Sequence, residues 1–112
     1  TDEWQGMAVY RSDNLNDWTK QSGRILDKPS RRKDDYPSGA HGDVVVAEGR
    51  AFIFYFTHPG RRFHTEEFHD ENGNIQYKYR RSSIQVAELE VVENKLIVKD
   101  MDIPFDLFLP DK

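Results

Sequence analysis

Asp43-Val44-Val45-Val46-Ala47 and Ala51-Phe52-Ile53-Phe54-Tyr55-Phe56, joined by Glu48-Gly49-Arg50, form the stretch on which the fold turns. Branched and aromatic side chains suit a pleated backbone. Gly49 suits the positive φ of a tight turn, so the stretch reads as a β-hairpin. Both arms are apolar at nearly every position, whereas a half-solvated sheet alternates. The pattern therefore predicts two inner strands buried on both faces. Downstream, Ser82 to Glu90 reads as a third strand, with Ile84, Val86 and Glu88 on one face and Ser83, Gln85, Ala87 and Leu89 on the other. Glu93-Asn94 makes a turn, and Leu96 to Lys99 returns as an outer strand. Four antiparallel strands joined next to next make a meander, which is one blade of a propeller or one wall of a barrel.

Upstream, Met7 to Arg11 reads as a short strand leading into Ser12-Asp13-Asn14-Leu15-Asn16-Asp17, whose side chains cap their own backbone and favour a tight turn. Trp18 is expected to pack across the end of that hairpin, with Thr19, Gln21 and Ile25 continuing the returning strand. Asp27 to Ala40 and Pro59 to Arg80 are long, polar and without alternation, and Gly60, Asn72, Gly73 and Asn74 mark turns rather than helix. Two such loops are unusual in one small domain, so they are expected to lean on structure shared with other segments.

Composition points the same way. Of 112 residues, 37% are apolar, and the mean hydropathy is −0.83, so the core is small. Thr1 rather than Met opens the sequence, and the reading is the closing, β-rich portion of a larger domain. Neither a leader pattern nor a run of roughly eighteen apolar residues occurs in it, which argues against a membrane partner. The formal charge of −4 comes from 16 basic and 20 acidic residues, and the basic patches are interleaved with acids. That balance argues against nucleic acid as a partner. With no cysteine, disulfides and thiolate metal sites are excluded.

Four residues stand out as candidates to line a pocket: His41, Asp43, His58 and Arg81. His41 and Asp43 flank Gly42 at the start of the most apolar strand, where an imidazole can orient a ligand or hold a metal and a carboxylate can fix its tautomer. His58 marks the point where the second strand leaves the sheet, and antiparallel pairing brings it to the same edge as His41. The loop from Gly60 to Arg80 starts there and reads as a lid, with Arg80 or Arg81 at its base to grip a carboxylate or sugar hydroxyls. Against this, His41 can simply bind loop backbone, and Arg81 can pair with Glu88 or Asp43. His64 and His69, with Glu66, Glu67, Asp70 and Glu71, match no zinc spacing and read as a solvated loop. The run Arg31-Arg32-Lys33-Asp34-Asp35 reads as a solvent-facing connection. For glycoside chemistry two carboxyl groups must face each other across a sugar. Only Asp43 and Glu88 lie in strands near a cleft, and nothing marks them as that pair, so no catalytic residue is assigned.

Four pieces carry a resemblance: residues 8–18, the stretch Gly39-Ala40-His41-Gly42-Asp43-Val44-Val45-Val46, residues 52–59 with Phe56-Thr57-His58-Pro59, and residues 80–89 beginning Arg80-Arg81-Ser82. In that order and spacing the chain resembles the last part of a family 43 glycoside hydrolase, or of a close relative among the five-bladed β-propellers. The resemblance implies an all-β fold, with residues 1–27 as part of the preceding blade, 28–42 as a connecting loop, and 43–112 as the final blade and C-terminal closure. It implies that His41 lines the substrate pocket near the axis and helps hold a central cation, such as calcium, or a water cluster, and that Arg81 is a basic pocket residue. The catalytic carboxylates of that family come from earlier blades. The parent would then hydrolyse glycosidic bonds of complex glycans in a secreted or periplasmic setting, with a glycan substrate and the remainder of the propeller as partners. His41-Gly42-Asp43 departs from the commoner small-residue pattern after the histidine, which leaves the family member open. A non-catalytic carbohydrate-binding propeller and a structural β-module are the alternatives.

Overall fold

The computed structural model describes residues 5–60, 71–74, 76–77 and 81–103. Among these residues there are six strands: β1 (Met7–Arg11), β2 (Thr19–Ile25), β3 (Ala40–Ala47), β4 (Arg50–Thr57), β5 (Ser83–Val92) and β6 (Lys95–Asp100). The fold is all-β, and every pairing is antiparallel. β1 and β2 form one sheet, and β3-β4-β5-β6 form the other in chain order, a meander.

Short turns of one kind set this register. Ala47 pairs with Arg50, leaving Glu48 (φ 53°) and Gly49 (φ 75°) as the two central residues. Val92 likewise pairs with Lys95 across Glu93 (φ 51°) and Asn94 (φ 63°). Two positive φ values in a two-residue loop twist in the sense the flanking strands need. Arg50 thus belongs to β4 rather than to the turn. Between β1 and β2, the Ser12 hydroxyl accepts the N–H groups of Asn14 and Leu15 at 3.2 and 2.8 Å. Asn14 Oδ1 accepts those of Asn16 and Asp17 at 2.9 and 2.8 Å, so side chains replace a backbone ladder through the turn.

Alternation along β4 divides the core in two. Ile53 and Tyr55, with Ala87 and Leu89 of β5, face the β1–β2 hairpin and close on Ile25 and Leu26, with Met7 and Val9 at the margin. Phe52 and Val86 point the other way and bury Ile103, with Phe54 beside them. β4 therefore has the two-sided burial expected of it, but β3 does not. Beyond Ala40 the strand is exposed throughout, with Val44 at 50%, Val45 at 46% and Val46 at 72%. β3 is one of the two edge strands, with only β4 beside it, and none of its three valines joins either core cluster. The two sheets share no strand ladder. Beside the shared apolar core, Gln21 Nε2 donates to the Leu96 carbonyl and the Leu96 N–H donates to Gln21 Oε1, both at 2.8 Å.

The loop between β2 and β3 also departs from expectation, because this chain's own strands support it. Its neck closes where the Gly39 N–H donates to the Leu26 carbonyl at 2.8 Å. Within it, Arg31 and Lys33 face solvent, but Arg32, Asp34 and Asp35 turn inward. The Arg32 guanidinium donates to Gln85 Oε1, to the Val86 carbonyl and to the Ile103 carbonyl. Gln85 Nε2 in turn donates to the Lys33 carbonyl at 3.1 Å. The Thr57 hydroxyl donates to the Asp34 carbonyl. Tyr55 donates its phenol to Asp35 at 2.8 Å, and Asp35 is only 2% exposed. Burial first, then the Asp35 carboxyl, push the phenol far above the ordinary tyrosine range, so it remains a donor at physiological pH. Tyr55→Phe removes that donor from a buried acceptor. It is expected to cost about 1–3 kcal/mol, read as a lower urea midpoint at unchanged m-value.

Candidate functional site

The start of β3, the end of β4 and the start of β5 meet at one end of the sheet. A bulge between Ala40 and Asp43 sets the geometry there: Ala40 pairs with Phe56 and Asp43 with Phe54, so His41 and Gly42 together oppose Tyr55. The bulge puts His41 at φ 47°, an uncommon conformation for a residue with a Cβ. Gly42 makes the bulge possible. A Cβ there would sit 2.6 Å from the Ile53 side chain and 3.0 Å from that of Met7, so the core admits hydrogen only.

The His41 ring is exposed and lies flat on Phe56, with centroids 5.1 Å apart and planes 8° from parallel. His58 meets the same phenylalanine edge-on, at 5.3 Å and 78°. Its Nδ1 lies 3.4 Å from both the Arg81 carbonyl oxygen and the Ser82 hydroxyl. Phe56 therefore gathers His41 and His58 about one ring, and Arg81 follows through its backbone. Asp43 lies beyond the bulge, opposite Phe54, and its carboxylate accepts the Val44 N–H at 3.0 Å.

Arg81 finds neither Glu88 nor Asp43. Its guanidinium makes two hydrogen bonds to Asp34, at 3.1 and 2.9 Å. That fork holds the Asp34 carboxyl below its ordinary value, against the opposing effect of desolvation. The same bond raises the Arg81 guanidinium. Glu88 is committed elsewhere. Arg50 grips it at 3.0 and 2.8 Å while resting 4.9 Å over the Phe52 ring, and Lys99 stands 3.9 Å away. The Arg50 bond lowers the Glu88 carboxyl, so it stays ionised and makes a poor proton donor.

Asp34 and Phe56 are thus members of this cluster that spacing alone did not single out. Phe56 stands two residues before His58, the one local hint, while Asp34 lies in a charge run that looks solvated. Arg80, His64, His69, Glu66, Glu67 and Asp70 lie outside the described residues, as does most of the stretch read as a lid. Among the described residues no group of three or more histidine or carboxylate side chains stands together. Calcium takes roughly six to eight oxygen ligands, so His41 and Asp43 do not make a calcium site by themselves. No protein-family model matches the chain, and no curated protein matches it.

A lowered carboxyl contributes stability above its unfolded value of 3.8, and that contribution fades as pH falls through the lower folded value. Arg81→Met is therefore expected to melt below the unaltered chain near neutral pH and to converge with it as acid protonates Asp34 in the folded state. Thermal melts across that range check the sign.

Proposed function

We propose that this chain is the closing part of a five-bladed β-propeller that hydrolyses glycans. In this reading β3 is the innermost strand of the last blade, and β1–β2 is the outer hairpin of the blade before it. The supporting observation is β3 itself. An edge strand of a free-standing small sheet is normally blunted by lysine, proline or a short length. β3 instead carries three consecutive exposed valines and no such device beyond its first bulge. Propeller blades resolve the contradiction. Their innermost strand is an edge for hydrogen bonding, yet its two faces pack between the neighbouring blades. The β1–β2 hairpin already covers one face of the four-stranded sheet in that manner.

The bulge then sets His41 at the axial end of the innermost strand, with His58 and the Asp34–Arg81 pair behind it. An exposed imidazole backed by a phenylalanine is a fixed hydrogen-bonding group for sugar hydroxyls, and the cluster forms one wall of a pocket. Asp34, Asp35 and Glu88 are each engaged by a neighbouring side chain. The acid that protonates the leaving oxygen and the base that activates water are therefore assigned to preceding blades. The role of His41 is to position the sugar, not to attack the bond.

In the full-length protein, His41→Ala is expected to lower kcat/KM on the true glycan by roughly a hundredfold while leaving the melting temperature in place, since the ring is exposed. Unchanged turnover and affinity would remove the pocket role. Glycan binding without turnover by the unaltered protein would favour the carbohydrate-binding alternative.

A further inference from the structure

The opposite end of the strands carries a second concave surface. β5 runs for 10 residues, so its two ends lie roughly 30 Å apart. His58 and Arg81 stand at one end. At the other, the β1–β2 hairpin and the β5–β6 turn enclose a groove of about 470 Å³. A polar cavity of about 420 Å³ continues it along the Ser12–Asp17 turn, and the two share Arg11, Ser12, Gln21 and Asn94.

Two aromatic residues, Tyr10 and Trp18, are among those that line this groove. Tyr10 pairs with Lys20 and Arg11 with Thr19, which puts Trp18 diagonally across from Tyr10 on the same face of the hairpin. Each of the two residues is 54% exposed, and Val91, which also lines the groove, is 68% exposed. Trp18 does not hang free, because its indole N–H donates to the Leu15 carbonyl at 3.3 Å. The turn beneath it is locked by the Ser12 and Asn14 side-chain bonds already described. The indole is therefore tied to its turn before any ligand arrives, which lowers the ordering cost of binding at Trp18. Thr19, Asn94 and Asp13 offer hydroxyl, amide and carboxylate groups around them.

We propose that this groove is a second glycan-binding site, stacking a neutral sugar chain on Tyr10 and Trp18. A pyranose ring has apolar C–H faces and a hydroxyl rim. It matches rigid aromatic faces bordered by short donors and acceptors better than an all-apolar ligand does. Charge selects among sugars. Asp13 and Asp17 line the polar end, and the cation there, Arg11, leans on Asp13 at 3.5 Å. An anionic uronate or sulfated chain is disfavoured, and a neutral one is not. The site stands on its own chemistry, apart from the hydrolytic reading, and holds the glycan away from the His41 end.

Native gels of the full-length protein run in xylan, mixed-linkage β-glucan or glucomannan test it, with polygalacturonate as the anionic comparator and a decaproline peptide as a rival ligand. Retardation by at least one neutral polysaccharide is expected. Tyr10→Ala and Trp18→Ala should each weaken it by about tenfold, a size typical of a buried aromatic anchor. Trp18→Phe should retain most of it. Val91→Arg closes the groove without removing a ring and serves if a truncation unfolds the hairpin. The proposal is overturned by no retardation in any neutral gel, by retardation only in polygalacturonate, or by retardation that ignores Tyr10, Trp18 and Val91 together. A decaproline complex without glycan binding overturns it too. Retardation lost with Trp18 in a protein that cleaves nothing would sink the hydrolytic reading and leave this one standing.

Discussion

β4 is hydrogen-bonded along both edges and buried on both faces, and the rest of the molecule is arranged around that constraint. Its odd positions, Ile53 and Tyr55, make the core under the β1–β2 hairpin, while Phe52 and Phe54 make the other with Val86 and Ile103. Phe56 continues the second row to the end of the strand, where the sheet runs out and His41 and His58 close on it. Tyr55 adds a polar tip to an apolar body. Buried phenol and buried carboxyl satisfy each other, and this lets a polar loop lie across the end of β4 without leaving donors or acceptors stranded. Among the described residues, no buried side-chain nitrogen or oxygen lacks a partner.

Strand order was legible because its signals are local. Apolar runs, Asn- and Gly-bearing turns and short connections define a meander with little help from distant residues, and β1 falls on Met7–Arg11 as the pattern predicts. Burial of β3 was not legible in the same way. Val44-Val45-Val46 looks the same in sequence whether neighbours cover it or not, since composition reports what a strand can tolerate and topology decides what it meets. The Arg31–Asp35 run misled for the opposite reason. Alternate members of a charge run can face opposite ways, so Arg32 and Asp35 are engaged at depth while Arg31 and Lys33 stay in water, and no pattern of residue types separates the two sets.

The candidate site shows the same division. Antiparallel geometry brings His41 and His58 to one end because they flank a hairpin of known length. The partner of Arg81 came instead from a loop 47 positions away, through contacts that only the folded chain creates. The bulge is a third case: Gly42 hints at close approach, but the displaced register and the left-handed His41 become visible only once Ile53 and Met7 are seen pressing on the vacant Cβ position.

Gln21 couples the two sheets through one primary amide whose two ends meet the two backbone groups of Leu96. That clasp sits beside the apolar packing of Met7, Val9 and Ile25 on Ile53 and Tyr55, so a polar pair and a shared core together seat the hairpin on the meander. Chemistry at that joint is exacting in one respect. Hydrolysis of the amide to a carboxylate would set an oxygen against the Leu96 carbonyl, turning the clasp into a repulsion and making slow deamidation a form of wear for this fold.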